Sequence, residues 1–385
     1  MERYPGWNLT AAQRARAELL GLALAAARRL KGQGGCLTAP SELHHEHNAS
    51  PYWNESYYFN FTDLAGRIGG FTRIGMVPNQ KTAIAILFLF LEDGGILMTS
   101  QTEPIEASRD DVSVGALRYE RARALWEWRI LFKGSMLRLS DPRDLARLGQ
   151  DEPSAVSSPQ GFCAEEVDLE LSFIGWSPCH DFKDVDPHFI AERFVSGRSR
   201  LEDLRAMGKV ASEHYEQVGE VAGSITIGGR TISFQGSGQR DHSWGERDWK
   251  APRGWTWLTA QFGKDLGFNL SRVMIRSLDL FNGYVSRNGR NYRLRRARLE
   301  TAFEADGQTQ KSIRIRLQDT SGWEAEIEGS PRNVVPLTLT EGSHRTRVNE
   351  AFTLYRWGGR EGYGISEYLH QLTCKAGPSS PAKAV

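Results

Sequence analysis

Charge of one sign is missing from this 385-residue chain. Its 48 lysines and arginines offset 47 aspartates and glutamates, leaving +1 at pH 7. A nucleic-acid binder ordinarily carries a basic excess, so that class is set aside. Cysteine is scarce: Cys36, Cys163, Cys179 and Cys374 form no CxxC pair and no cluster. They read as reduced thiols, which predicts a cytoplasmic protein rather than a disulfide scaffold. Long apolar runs are missing as well. LLGLALAAARRL at 19–30 follows charged residues and is too short to span a bilayer, so no stable membrane insertion is expected. The sequence holds no GxSxG, no HExxH, no Gly-rich phosphate loop and no succession of βαβ units. Ser243 beside His242 is the one trace of a serine nucleophile, and adjacent residues of a strand point apart.

What is present is ordinary globular material, 40% hydrophobic and 25% charged, in a chain long enough for two cores. A helix is expected from about Thr10 to Leu30, capped near Asn8 and stopped by GQGG at 32–35. Strand patterns dominate beyond it. ESYYFNF at 55–61 is aromatic-rich, and AIAILFLFLEDGGILMTSQ at 83–101 turns at Gly94-Gly95. SITIGGRTISFQ turns at Gly228-Gly229, GWTWLTAQF leads to a turn at Gly263-Lys264-Asp265, and NGYVSRNGRNYRL turns at Asn288-Gly289. RLRRARLE at 293–300 reads as a strand with one solvated face. The fold class is therefore all-β: two antiparallel β-barrel or sandwich domains with an N-terminal helix. The expected division is helix 1–35, first β domain 36–196, a connector at 197–217 holding a short helix around RLEDLRAM, second β domain 218–374, and a disordered tail at 375–385.

The densest chemistry lies in GQRDHSWGERDW at 238–249. Gly236, Gly238 and Gly245 make a regular strand unlikely there and point to a bulge or a close backbone approach. In an extended segment, Asp241 and Ser243 face one way while His242 and Trp244 face the other. One reading makes Asp241 or His242 an acid–base group in an apolar cavity, with burial raising the carboxyl pKa. The other pairs Asp241 and Asp248 with Arg240 and Arg247 as a structural ion-pair cluster. The residue pattern leaves both open.

Downstream, Trp255, Trp257, Thr259 and Gln261 share one strand face, and one face of GWTWLTAQF must look into a lumen. Glu55 and Tyr57 share a face that would line the first domain's lumen. Tyr363, Ile365 and Glu367 share a parity, which makes Glu367 a second acid–base candidate. LHHEHN at 43–48 has a metal site's composition in His44, His45, Glu46 and His47, but no further motif completes it, and no metal is assigned.

DHSWGERDW, preceded by SITIGGRTISFQGSGQR and followed by GWTWLTAQF, resembles the signature of the carotenoid hydratase and AttH-like superfamily, as does the ending GREGYGISEYLH. The closest likeness is to a bacterial branch of that group. The resemblance covers most of residues 40–372 and implies two lipocalin-like β domains. It also implies hydration, cyclisation or other rearrangement of lipophilic, often isoprenoid or polyketide, molecules without a redox cofactor. By residue match Asp241 and His242 form the core polar pair, with Trp244 and Trp249 shaping the cleft. The expectation is thus a cofactor-independent enzyme acting on a lipophilic molecule. Asp241 is the acid and His242 its relay, with Trp244, Trp249, Trp257, Gln261, Tyr57, Glu55, Tyr363 and Glu367 around the substrate. The alternative is a non-catalytic lipocalin-like carrier of the same kind of ligand. Partners beyond that small molecule are a possible homodimer and no nucleic acid.

Overall fold

The structure is a computed structural model, and it describes residues 9–30, 37–105, 112–148, 163–197, 213–275 and 278–372. Asn8, the GQGG stop, Cys36, Cys374, the RLEDLRAM segment and the tail lie outside the described residues. Helix α1 (Ala11–Leu30) begins where Thr10 and Gln13 exchange side chain-to-backbone bonds of 3.0 and 3.2 Å, satisfying amides that the first turn leaves orphaned.

Eleven strands follow in one antiparallel sheet: β1 (Trp53–Asp63), β2 (Gly69–Val77), β3 (Thr82–Phe90), β4 (Ile96–Pro104), β5 (Val112–Val114), β6 (Leu117–Arg123), β7 (Glu127–Leu139), β8 (Cys163–Gly175), β9 (His180–Asp181), β10 (Glu213–Ile227) and β11 (Arg230–Glu246). Short helices α2 (Leu145–Leu148) and α3 (Pro187–Val195) interrupt the series. The path runs β4-β3-β2-β1-β11-β10-β8-β7-β6-β5, and β4 also pairs with β7, so the sheet curls round on itself. The second unit is a closed barrel of β12 (Gly254–Gln261), β13 (Leu266–Ile275), β14 (Leu278–Arg287), β15 (Arg290–Phe303), β16 (Gln310–Asp319), β17 (Glu324–Glu341), β18 (His344–Trp357) and β19 (Arg360–Leu372) in chain order. Tight turns set this order. At Asn288-Gly289 both residues have positive φ (51° and 76°), the geometry that matches strand twist in a two-residue hairpin.

The boundary between the units is not at 197–217. Strands β10 and β11, read from sequence as the start of the second domain, complete the first sheet, and the chain crosses over between Glu246 and Gly254. The cause is the long-range pairing of β11 with β1, from Trp53↔Glu246 to Asp63↔Gly236, which no local pattern announces. That pairing is also unbroken, so the expected irregularity at Gly236 and Gly238 is absent. The glycines instead permit close approach: a Cβ at Gly238 would lie 1.9 Å from the Asn60 carbonyl oxygen.

Three cores result. Tyr57, Phe59, Phe61, Trp128, Leu169 and Phe173 fill the first unit, and Leu258, Ala260, Phe268, Leu270 and Ile315 fill the barrel. Between the units, Tyr58, Phe71, Phe88 and Phe90 pack against Trp257, Val335, Phe352 and Ile365. Each fully buried side chain of this kind contributes roughly 1.5–3 kcal/mol. RLRRARLE, on β15, is not simply solvated. Arg293 pairs with Asp184, Arg295 with Asp186 and Glu18, and Arg296 with Glu192, which ties β15 to α1, α3 and the loop before it.

Candidate active site

A cavity of about 240 Å³ opens between the two units. It lies outside both barrels, so its wall is made of residues whose neighbours in sequence point into the barrel cores. From the first unit come Ser56 and Tyr58 of β1, Arg73 of β2, Ile86 of β3, His214 of β10 and Asp241 of β11. From the second come Trp255 and Trp257 of β12, Leu337 and Leu339 of β17, Val348 and Glu350 of β18, and Glu367 of β19. Arg247, Asp248 and Trp249, in the crossover, close one side, with the Trp249 and Trp255 rings 5.3 Å apart.

Two polar centres sit in this mostly apolar wall. In the first, Glu350 and Glu367 face each other directly across β18 and β19. Two carboxylates at cross-strand distance repel, and Glu350 is only 3% exposed. Burial and the adjacent Glu367 push the Glu350 carboxyl well above the usual range. Burial raises Glu367 as well, although hydrogen bonds from Glu350 and from the Trp255 indole N–H oppose that rise.

In the second centre, His214 Nε2 lies 3.3 Å from Asp241 Oδ2 and 3.2 Å from Glu216 Oε1. Burial works against a charged His214, but Asp241 and Glu216 outweigh it, and its pKa is raised to about 9. Asp241 shows the reverse balance. Burial favours its neutral form, yet His214, Arg247 and Arg73 hold it below the ordinary carboxylate range. Glu216, fully buried, accepts from Trp257 Nε1 at 2.9 Å and Gln239 Nε2 at 2.7 Å.

This geometry divides the residues expected from sequence. Asp241, Trp249, Trp257 and Glu367 line the cavity together. The raised carboxyl expected at Asp241 sits at Glu350 instead, because imidazolium and guanidinium charges reach Asp241 and none opposes Glu367 at Glu350. Arg240 does not pair with Asp241; it points to the other side of β11 and binds Glu42 at 2.7 Å. Of the envisaged four-residue ion-pair cluster, the attraction of Arg247 for Asp241 is present while Arg240 turns away, and Asp248 Oδ1 accepts the Lys250 amide at 2.9 Å. Gln261 bonds Thr259 Oγ1 at 3.2 Å and Tyr363 packs on Phe352, and neither lines the cavity. The lumen of the second barrel is faced by Leu258 and Ala260, and the Trp257 face looks at the first unit.

His242, Trp244, Glu55 and Tyr57 lie on the opposite face of the first sheet, among its interior residues. His242 is fully buried, stacked on Tyr57 at 4.0 Å, with Nε2 2.9 Å from Glu55 Oε1 and Nδ1 3.0 Å from the Tyr215 hydroxyl. Trp244 stacks on His45 at 3.7 Å. Of the four residues of the 44–47 stretch, His45 Nδ1 reaches Glu55 Oε1 at 2.9 Å and His44 Nδ1 reaches Oε2 at 3.7 Å, whereas His47 turns to the Asn48 carbonyl. Burial raises the Glu55 pKa, but the three imidazoles draw it far below the usual range. His45, Glu55 and His242 are the described residues best placed to hold a metal ion.

Sequence reasoning missed Glu350, His214 and Glu216. Val348, Glu350 and Phe352 carry the signal that exposed Glu367, a carboxylate on an apolar strand face, in the run VNEAF. His214 and Glu216 fell inside the segment read as connector.

Comparison with known structures follows the same architecture. The chain is similar to an AttH protein from Nitrosomonas europaea (TM-score 0.57, 14% identity, covering 87% of this chain and 97% of that one). It is similar also to CghA bound to Sch210972 (TM-score 0.50, 10% identity, 83% and 89% covered) and to kievitone hydratase from Nectria haematococca (TM-score 0.49, 10% identity, 87% and 93% covered). No curated protein sequence matches the chain. At these identities the likeness is one of fold, and the fold is the AttH-like one. Residues 38–372 match the family described as domain of unknown function DUF7064, and the chain belongs to that family.

Proposed function

We propose that the protein is an acid–base enzyme that binds a lipophilic small molecule (isoprenoid, steroid or polyketide-like) between its two barrels and hydrates, cyclises or isomerises it. The observation that carries this reading is the opposed Glu350–Glu367 pair in an apolar, tryptophan-lined wall. A carboxyl group that stays protonated near neutral pH is a competent general acid. In this reading Glu350 delivers its proton to a carbon–carbon double bond, and the faces of Trp249, Trp255 and Trp257 stabilise the carbocation. Water then adds, losing its proton to Glu367, and transfer within the pair restores Glu350. In cyclisation or isomerisation an internal bond or a C–H proton takes the place of water. His214 keeps Asp241 ionised, which adds a fixed negative charge beside the cation. A volume of about 240 Å³ suits one ring system or a short prenyl segment, with the rest of a longer ligand in the mouth. The same fold holds a small molecule, Sch210972, in CghA.

The test uses the compound that co-purifies with the native protein, extracted and re-incubated with fresh protein in deuterated water. Carbon-bound deuterium in the product is expected. Glu350→Gln should bind the extract as tightly as wild type while losing turnover by about 10²–10⁴-fold. A carrier would give no deuterated product, and Asp241→Asn would leave its ligand affinity intact. That pair of results would replace the enzymatic reading with the carrier one.

A further inference from the structure

We propose that the interior face of the first sheet carries a binding site for one divalent transition-metal ion, formed by His45, Glu55 and His242. This inference stands apart from the reading of the cavity, since β11 separates the two: Asp241 points to one side and His242 to the other.

Three chain segments converge on one oxygen. Glu55 projects from β1, His242 from β11 and His45 from the stretch before β1, and both imidazole contacts are 2.9 Å from Glu55 Oε1. The three donor atoms lie within 4.8 Å of one another. The Glu55 carboxylate is fixed from behind, because its Oε2 accepts the His45 backbone N–H at 3.1 Å. Both rings are locked by stacking, His45 on Trp244 and His242 on Tyr57.

Proton accounting then specifies what Nε2 of His242 offers. Glu42 is held by Arg240 at 2.7 and 3.3 Å and takes the single hydroxyl proton of Tyr215. The Tyr215 oxygen is thereby left as acceptor, so the His242 Nδ1–H, 3.0 Å away, must donate to it. This is the arrangement in which a ligating histidine hands its second N–H to an outer partner and directs the other lone pair at the ion. Nε2 of His242 and Nδ1 of His45 each stand 2.9 Å from the same carboxylate oxygen, and each of these contacts is bridged either by a proton or by a metal ion. One divalent ion bridges both. Ligand atoms about 2.0–2.2 Å from a tetrahedral ion are roughly 3.3–3.6 Å apart, so the two 2.9 Å contacts to Glu55 lengthen by about half an ångström while donors as far as 4.8 Å apart draw together. Two imidazoles and a carboxylate suit zinc and its first-row neighbours rather than calcium or magnesium. The fourth position falls to water or to His44.

The experiment strips the full-length protein with EDTA, adds Zn²⁺, and measures uptake by calorimetry and elemental analysis, with Co²⁺ absorption reporting the ligand geometry. One equivalent is expected, with a tetrahedral-type cobalt spectrum. His45→Ala lies in a partly exposed stretch, so the metal-free variant should melt like wild type. Its zinc affinity should fall more than about 100-fold, because even outer partners of a ligand cost 10–100-fold. Asp241→Asn should bind zinc unchanged, whatever it does to chemistry in the cavity. Failure of wild type to take up stoichiometric Zn²⁺, Co²⁺ or Mn²⁺ overturns the proposal, as does uptake that survives both His45→Ala and Glu55→Gln.

Discussion

A carboxyl group whose pKa is raised by burial is a stability cost that varies with pH, and Glu350 is such a group. Its pKa is raised on folding, so the associated stability is full below the unfolded value and is lost as pH rises toward the folded one. Glutamine keeps the shape and carries no titratable proton. Glu350→Gln is therefore expected to melt at a higher temperature than wild type, with a gap that widens as pH rises above the unfolded glutamate value of about 4.3. Calorimetric scans at rising pH check it; a gap that is flat or narrows means that Glu350 ionises freely in the folded protein. Half of this pair was legible beforehand. Glu367 announces itself by sharing a strand parity with Tyr363 and Ile365, and Glu350 carries the same mark beside Val348 and Phe352. What parity cannot supply is that the two glutamates stand opposite each other, which follows from the β18–β19 register.

Among the elements, β11 does most to place functional groups. It runs 17 residues without a break and pairs with β1 and β10, sending Asp241 to the cavity and His242 to the barrel interior. The alternation was readable from DHSW alone, because side chains of successive strand residues point apart. Which side was the cavity was not readable, since both faces of a strand buried between two layers are lined by protein. Close packing against β1 leaves no room at Gly238, where an added Cβ would meet the Asn60 carbonyl oxygen. Gly238→Ala is expected to cost at least about 1–3 kcal/mol through forced backbone movement. Urea denaturation reads this directly, and a loss under 0.5 kcal/mol, about the level of an ordinary surface change, would show that the strands can part without penalty.

At the scale of the whole molecule, the two barrels meet back to back over an aromatic layer, and the cavity is a gap in that layer. Ile365, fully buried there, makes the dependence testable: Ile365→Ala should destabilise by about 2–5 kcal/mol in chemical denaturation. A loss below 1 kcal/mol would mean that the barrels fold without leaning on each other. The amino-acid order by itself determined the all-β class, the hairpin turns, the N-terminal helix and the opposed directions of Asp241 and His242, because these follow from periodicity and turn chemistry within a few residues. Only the tertiary structure decided that β10 and β11 close the first sheet, and that the pocket lies between the barrels rather than within one. It alone brought His214 to Asp241 and His45 to His242. Those relations join positions 27 to 197 residues apart, and local sequence carries no record of which distant strand a given edge will meet.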